Sequence, residues 1–211
     1  MKKVFLILIV LAFIPTASLG DSVEVVDVNT SPLSGASAQL GFDFIDGGSP
    51  SNTITLSDFS TDGTLGGVFP TGGVSGTLPG TVTLTDSFFF NEYLTNITLG
   101  NSFSFILDAT TSGPDLGSLP DAFSLFLLNP VTGLPLFATT DPTGSDSLLT
   151  LNIDGSTLGT LDVFSAPGGE SVVTVTRVSV TPEPGTLLLL GSGLALFSLR
   201  RKKVKVRQTA N

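Results

Sequence analysis

The 211-residue chain contains no cysteine, no histidine and no tryptophan. Without cysteine, disulfides cannot stabilise the fold, so stability must come from a hydrophobic core. Histidine and cysteine supply the commonest general base, the commonest metal ligand and the thiol nucleophile of enzymes. Their absence favours a protein that is not an enzyme.

Basic residues are also scarce, and nearly all of them lie near the two ends of the chain. The chain has 18 acidic and 9 basic residues, but residues 21–181 hold 17 of the acidic ones and a single base, Arg177. The net charge of this body is therefore −16. Such a body repels nucleic acid and anionic lipid and attracts cations, so we expect no nucleic-acid partner.

The N-terminus has the three-part order of a secretory signal peptide. Two lysines precede an apolar run of eleven residues, 4–14, and a stretch rich in small residues follows. An apolar run of this length is short for a membrane-spanning helix. We predict a signal peptide at 1–20, cleaved between Gly20 and Asp21, with signal peptidase and the general secretion machinery as partners.

Residues 21–180 form a series of short β-type segments. In SAQLGFDF, for example, Leu40, Phe42 and Phe44 alternate with polar or small residues, which puts them on one face of a strand. Comparable segments are NTITLSDF, GTVTLTD, NSFSFILDA, DAFSLFLLN, SLLTLNID, STLGTLDVF and ESVVTVTRVSV. Turn residues separate them, as in TDGTLGG at 61–67 and DPTG at 141–144.

This pattern predicts one all-β domain at 21–180. No stretch of about ten residues has helical periodicity, which argues against a parallel α/β sheet. We predict a single antiparallel β-sandwich, jelly-roll-like, with about nine or ten strands. An up-and-down barrel is the alternative.

One aromatic segment, SFFFNEYL at 87–94, stands out. It concentrates Phe88, Phe89, Phe90 and Tyr93. We interpret it as a strand or short helix that plugs one end of the sandwich, because consecutive phenylalanines must face both ways. The alternative is an aromatic platform for a sugar ring, for which Tyr93 is the candidate residue.

Carboxylates are the only side chains left for acid–base chemistry. Glycoside hydrolysis needs two of them about 5–10 Å apart. The pairs beside turns are Asp43 with Asp46, Asp58 with Asp62, and Asp141 with Asp146. Because Asp beside a turn usually bonds local backbone, we assign no catalytic residue and no metal ligand. A structural calcium ion held by DFIDGG or DPTGSD is the alternative to a chain without cofactor, since calcium prefers oxygen ligands.

Residues 181–211 combine three features. Pro182-Glu183-Pro184 resists helix formation. Residues 186–199 are mostly apolar, and as a helix they span about 21 Å, short of the roughly 30 Å hydrocarbon core. A basic cluster at 200–207 follows and begins with Arg200, Arg201, Lys202 and Lys203. We predict a short transmembrane helix whose basic end stays cytoplasmic.

This order of features resembles the PEP-CTERM sorting signal of exported proteins of Gram-negative bacteria that produce exopolysaccharide. The resemblance implies that an exosortase, a membrane-embedded protease, recognises Pro182, Glu183 and Pro184 and removes the tail. It also implies that residues 187–199 lie transiently in the inner membrane and that the basic cluster acts as the stop.

The body is similar to one group of PEP-CTERM proteins with no assigned activity, through stretches such as DFSTDGTLGG, NEYL and NIDG. We therefore expect a protein of the cell surface or extracellular matrix with a structural or adhesive role linked to exopolysaccharide or biofilm. A carbohydrate-binding module is the second hypothesis, and a carboxylate-based glycoside hydrolase is the third.

Overall fold

The structure is a computed structural model, and it describes residues 22–48, 51–156, 159–165 and 174–179. These residues belong to one compact unit, Gly20–Thr181. They form twelve β-strands and one 3-10 turn, Ser31–Leu33, with no α-helix among them. The all-β prediction is confirmed.

Several predicted segments cannot be compared with the structure. The signal peptide, the sorting motif, the apolar helix and the basic cluster all lie outside the described residues. Within the part of the chain that is described, no helix is long and apolar enough to cross a membrane.

Six of the strands form one antiparallel sheet, which we term sheet A. They are β1 (Ser22–Asn29), β3 (Thr53–Thr61), β5 (Val74–Gly76), β6 (Val82–Thr85), β8 (Ser102–Ala109) and β12 (Thr174–Ser179). Their order is β12-β1-β8-β3-β6-β5. In β8 the alternation predicted from sequence holds, because Phe103, Phe105 and Leu107 are buried and their neighbours face outward.

The other six strands form sheet B, which is also antiparallel. They are β2 (Ser37–Ile45), β4 (Thr64–Thr71), β7 (Phe90–Thr98), β9 (Asp121–Leu128), β10 (Leu149–Ile153) and β11 (Thr160–Val163). Their order is β11-β10-β9-β2-β7-β4. The edge strand β4 has a bulge between Leu65 and Val68 and contains Pro70, and both features discourage pairing with a further strand.

The region around residues 61–71 differs from the sequence prediction. The predicted turn at 61–67 is shorter in the structure, because β3 continues to Thr61 and β4 begins at Thr64, which leaves only Asp62 and Gly63 between them. The glycines that suggested a turn, Gly66 and Gly67, lie in the β4 bulge. Three of the twelve described strands, β1, β4 and β5, have no counterpart among the predicted segments, so the predicted strand number is too low.

Strand pairing in the first part of the chain is nested. β1 pairs with β8, β2 with β7, and β3 with β6, so strands distant in sequence become neighbours. β9 then adds to the free side of β2, and β12 adds to β1. This pairing places β2 in the interior of sheet B, between β7 and β9.

The two sheets face each other, and aromatic rings pack between them. Phe42 of β2 meets Phe105 of β8 edge-on, with ring centroids 5.4 Å apart. Phe42 also lies beside the rings of Tyr93 and Phe123, at centroid distances of 6.3 Å and 6.2 Å. Full burial of such a side chain contributes about 1.5–3 kcal/mol, so a core of this kind stabilises a sandwich that has no disulfide.

Candidate functional site

One residue from each strand of sheet B lines up in a row across its outer face. The residues are paired across neighbouring strands in the order Thr71, Glu92, Asp43, Ser124, Thr150 and Asp162. We term these six residues the polar row. The four central residues face away from the core because both chain neighbours of each, such as Phe42 and Phe44 on β2, are buried. The two end residues, Thr71 and Asp162, are exposed.

Two carboxylates of the polar row, Asp43 and Glu92, lie directly opposite each other on β2 and β7. Such residues have Cβ atoms about 4.5–5.5 Å apart, where like charges are unfavourable. Burial, with the charge of Glu92 and a hydrogen bond to it as smaller causes, raises the pKa of Asp43 to about 7. Burial also raises the pKa of Glu92. A proton shared by the two carboxyls relieves the repulsion, so this pair ionises in coupled steps.

Asp43 also has an unsatisfied oxygen. Its Oδ1 is buried and accepts no hydrogen bond from the described residues. Buried polar atoms without a partner are rare in folded proteins, and each costs about 1–3 kcal/mol. The polar row is therefore a place where the fold tolerates unfavourable electrostatics.

An apolar row lies on each side of the polar row. The first consists of Phe90, Ile45 and Ala122, which are paired across β7, β2 and β9. The second consists of Phe69, Leu94, Gly41 and Phe126, paired across β4, β7, β2 and β9. Phe69 is 51% exposed and Phe90 is 39% exposed, so two aromatic rings remain accessible beside the carboxylates.

Gly41 gives the second apolar row its shape. A Cβ at this position would lie 3.5 Å from Leu94 Cδ1 and 3.7 Å from Phe126 Cβ. Because glycine has no side chain, Leu94 and Phe126 close over it and bury it on the outer face. The row is consequently a packed apolar strip that runs parallel to the acids.

The prediction that Tyr93 offers a platform for a sugar is wrong. Its side chain is fully buried between the sheets. Its hydroxyl accepts a hydrogen bond from the Leu78 backbone N–H at 2.9 Å and lies 3.2 Å from Thr77 Oγ1. Tyr93 is inward-facing because it alternates with Glu92 and Leu94 on β7, so its role is structural.

The interpretation of residues 87–94 as a plug is also wrong for the phenylalanines. Phe88 is 60% exposed and Phe89 is 75% exposed. Their backbone carbonyls are nevertheless held, since Asn91 Nδ2 donates to Phe88 O at 2.7 Å and Asp46 N donates to Phe89 O at 3.1 Å. This segment therefore presents exposed rings on an anchored backbone.

The three carboxylate pairs suggested by sequence serve local structure. Asp46 Oδ1 accepts from Gly48 N at 2.7 Å, and Asp43 faces Glu92 instead of Asp46. Asp58 lies at the β3 bulge with a positive φ of 51°. Asp62 accepts from Ser102 N and from Asn101 Nδ2, and these bonds, that from Ser102 first, lower its pKa.

The Asp141 loop is the most densely hydrogen-bonded of these turns. Burial alone would raise the pKa of Asp141, but five donor groups of Thr143, Ser145 and Ser147 hold it well below the ordinary range. Asp146 Oδ1 accepts from Thr139 N at 2.8 Å. Hydroxyls and amides thus occupy both carboxylate oxygens of Asp141. No three acidic side chains of the described residues converge to hold a metal ion.

Comparison with known proteins identifies the C-terminal segment. Residues 180–202 match the family model of the PEP-CTERM protein-sorting motif. No curated protein and no solved structure matches the chain. The motif defines the class as exported proteins with a C-terminal sorting signal and exosortase as the processing partner. The chain is a PEP-CTERM domain-containing protein, which confirms the resemblance seen in its last thirty residues.

Proposed function

We propose that this protein is delivered to the cell surface or the extracellular polysaccharide matrix and has a structural or adhesive role there. The observation that carries the proposal is the sorting motif at 180–202. The acidic, disulfide-free body suits a hydrated environment outside the cell, where its charge keeps it soluble.

The proposed route has two processing steps. Signal peptidase cleaves between Gly20 and Asp21 after translocation by the general secretion machinery. Residues 186–199 then hold the chain transiently in the inner membrane, with Arg200, Arg201, Lys202 and Lys203 on the cytoplasmic side. The exosortase reads Pro182-Glu183-Pro184 and releases the body.

We infer a jelly-roll class for the body. The nested pairs β1–β8, β2–β7 and β3–β6 support this class, although β5 joins β6 in sheet A and does not pair with β4. A rigid sandwich of this kind is a scaffold, and its function depends on the surface that it displays.

The sorting route can be tested by fractionating cells that produce the full-length chain. We expect wild-type protein to lose its C-terminal segment, as measured by intact mass, and to leave the inner membrane. In cells without exosortase, or with Pro182, Glu183 and Pro184 all changed to alanine, we expect the uncleaved chain in the membrane fraction. A chain with Thr181→Ala and Thr186→Ala is the matched control and should be processed. Normal release of the triple variant would refute the proposal.

Carbohydrate binding is the second candidate function, and the exposed Phe69 and Phe90 beside the polar row favour it.

Glycoside hydrolysis is less favoured by the geometry of the polar row. Asp43 and Glu92 are close enough to hydrogen-bond to each other, whereas hydrolysis needs carboxyl groups about 5–10 Å apart with the scissile bond between them. We propose that the chain binds and does not cleave.

A further inference from the structure

The outer face of sheet B combines features that a structural surface does not need. The polar row holds three carboxylates, Glu92, Asp43 and Asp162, and no base, since the single basic residue of the body, Arg177, belongs to sheet A. Exposed Phe69 and Phe90 lie on either side of it. A buried, unpartnered Asp43 oxygen lies at its centre. Each of these features is energetically unfavourable in the unbound protein, and one ligand with positive charges and apolar faces can relieve all three.

We propose that this face binds a linear polysaccharide that bears free amino groups. This inference rests on the proposed function, because it identifies the matrix component that the exported protein would contact. The ligand's ammonium groups lie on the polar row, and the apolar faces of its sugar rings lie on the two flanking rows.

Charge selects this ligand over other polysaccharides. An ammonium ion between Asp43 and Glu92 would replace the shared proton and supply donors to the two carboxylates. A uronic-acid polymer would instead meet a body of net charge −16. A neutral polymer would bring no positive charge to the two carboxyls.

The dimensions also suit an extended chain. The polar row crosses all six strands of sheet B, and strands are about 4.7–4.9 Å apart, so the row is about 24 Å long. Several sugar units fit along this length. Aromatic rings on either side contribute both apolar contact and cation–π attraction to an amine.

Binding can be measured by titration calorimetry with the full-length chain in a neutral detergent near pH 7, where the Asp43–Glu92 pair can release its shared proton. The probes are a glucosamine oligosaccharide and the same oligosaccharide N-acetylated. We expect the amino form to bind and the acetylated form to bind at least about tenfold more weakly. Equal binding of the two forms, or binding of neither, would overturn the proposal.

Paired variants separate this face from net charge. Asp43→Asn with Glu92→Gln should weaken binding at least about tenfold, whereas the control Asp27→Asn with Asp115→Asn, which removes two exposed carboxylates elsewhere, should change it less than about twofold. Thr150→Lys keeps both acids and places a competing ammonium in the row, so it should also weaken binding. If the control pair weakens binding as much, the attraction is unspecific and the proposal fails.

A further pair tests the aromatic contacts. Phe69→Ala with Phe90→Ala should weaken binding, while Leu116→Ala with Val131→Ala, exposed apolar residues in loops, should not. Polylysine is the comparison ligand. If it binds as tightly as the glucosamine oligosaccharide, and the Phe69→Ala with Phe90→Ala variant binds these two ligands as the wild type does, a basic peptide is the better ligand and the proposal is wrong. The sorting motif at 180–202 shares no residue with this face, so normal sorting without binding refutes this inference alone.

Discussion

Asn52 and Asp121 join the two sheets at one end of the sandwich, where Asn52 Nδ2 donates to Asp121 Oδ2 at 2.8 Å. Asn52 precedes β3 of sheet A and Asp121 begins β9 of sheet B, and both side chains are buried. Asn52 Nδ2 also donates to Ser112 O, and its Oδ1 accepts from Thr110 Oγ1 and Ser112 N. Every hydrogen-bonding position of this amide is therefore used: one bond joins the two sheets, and the other three hold the chain that follows β8.

We expect Asn52→Ala to destabilise the protein by about 2–4 kcal/mol. The change leaves Asp121 buried with one donor, Gly47 N, and leaves the Thr110 and Ser112 groups without their partner. Equilibrium urea unfolding measures the loss. Asn101→Ala is the matched control, because Asn101 makes an exposed bond to Asp62 and should cost less than about 1 kcal/mol. Equal losses for the two variants would contradict this stabilising role of Asn52.

Tyr93→Phe isolates a single hydroxyl in the core. The ring packing against Phe42 is kept, but the buried Leu78 N–H loses its acceptor, so we expect a loss of about 1–3 kcal/mol in the free energy of unfolding. Phe90→Ala, on the same strand but on the outer face, should change stability by less than about 1 kcal/mol. If Tyr93→Phe is neutral while weakening polysaccharide binding, our assignment of Tyr93 to the core is incorrect.

The sequence predicted the fold class because alternation is a local signal. SAQLGFDF and NSFSFILDA each show which residues face the core, and β2 and β8 follow them. β4 could not be read in the same way, since its glycine pair produces a bulge that looks like a turn in a single sequence. Phe88 and Phe89 were misjudged because hydrophobicity alone does not indicate which aromatic side chains a fold leaves exposed.

The polar row was beyond the reach of sequence analysis for a different reason. Alternation already places Asp43 and Glu92 on outer faces, because each lies between two inward-facing residues. What makes them a pair is that β2 and β7 are neighbours in one particular register, although the two acids are 49 positions apart in the sequence. A one-residue slip would have removed the pair, and nothing local in either segment fixes the register.

The Asp43–Glu92 pair should make stability fall as pH rises. The folded protein keeps a proton on Asp43 up to about pH 7, whereas an unfolded carboxyl releases it near 3.8. Between pH 3.8 and about 7 the folded state thus binds more protons than the unfolded state. The stabilisation due to this proton is complete below pH 3.8 and is lost as the pH rises through about 7. Because Asp43 is partly exposed, we expect a loss of about 2 kcal/mol, below the roughly 4 kcal/mol that the full pKa difference would give.

Asp43→Asn should flatten that limb of the stability curve, measured by urea unfolding at a series of pH values. Asp27→Asn removes an exposed carboxylate on sheet A and should keep the wild-type slope. An unchanged slope in Asp43→Asn would show that the pair does not hold a proton near neutrality.

Asp141 should produce a dependence of the opposite sign at acid pH. Its pKa is lowered in the folded protein by bonds from Ser145, Ser147 and Thr143, so the stabilisation is present above the ordinary carboxyl pKa and is lost as pH falls through the folded value. Asp141→Ala removes the acceptor of five hydrogen bonds and leaves the buried Ser147 hydroxyl without this acceptor. We therefore expect about 2–4 kcal/mol of destabilisation at neutral pH. Ser145→Ala removes one of these donors from an otherwise intact loop and should cost about 1 kcal/mol.

The variant Asp141→Ala should also lose the acid limb of the wild-type curve while keeping the limb due to Asp43, because the two groups lie on different parts of the fold and titrate independently. If Asp141→Ala shifted both limbs together, the acid sensitivity would come from net charge and not from this loop.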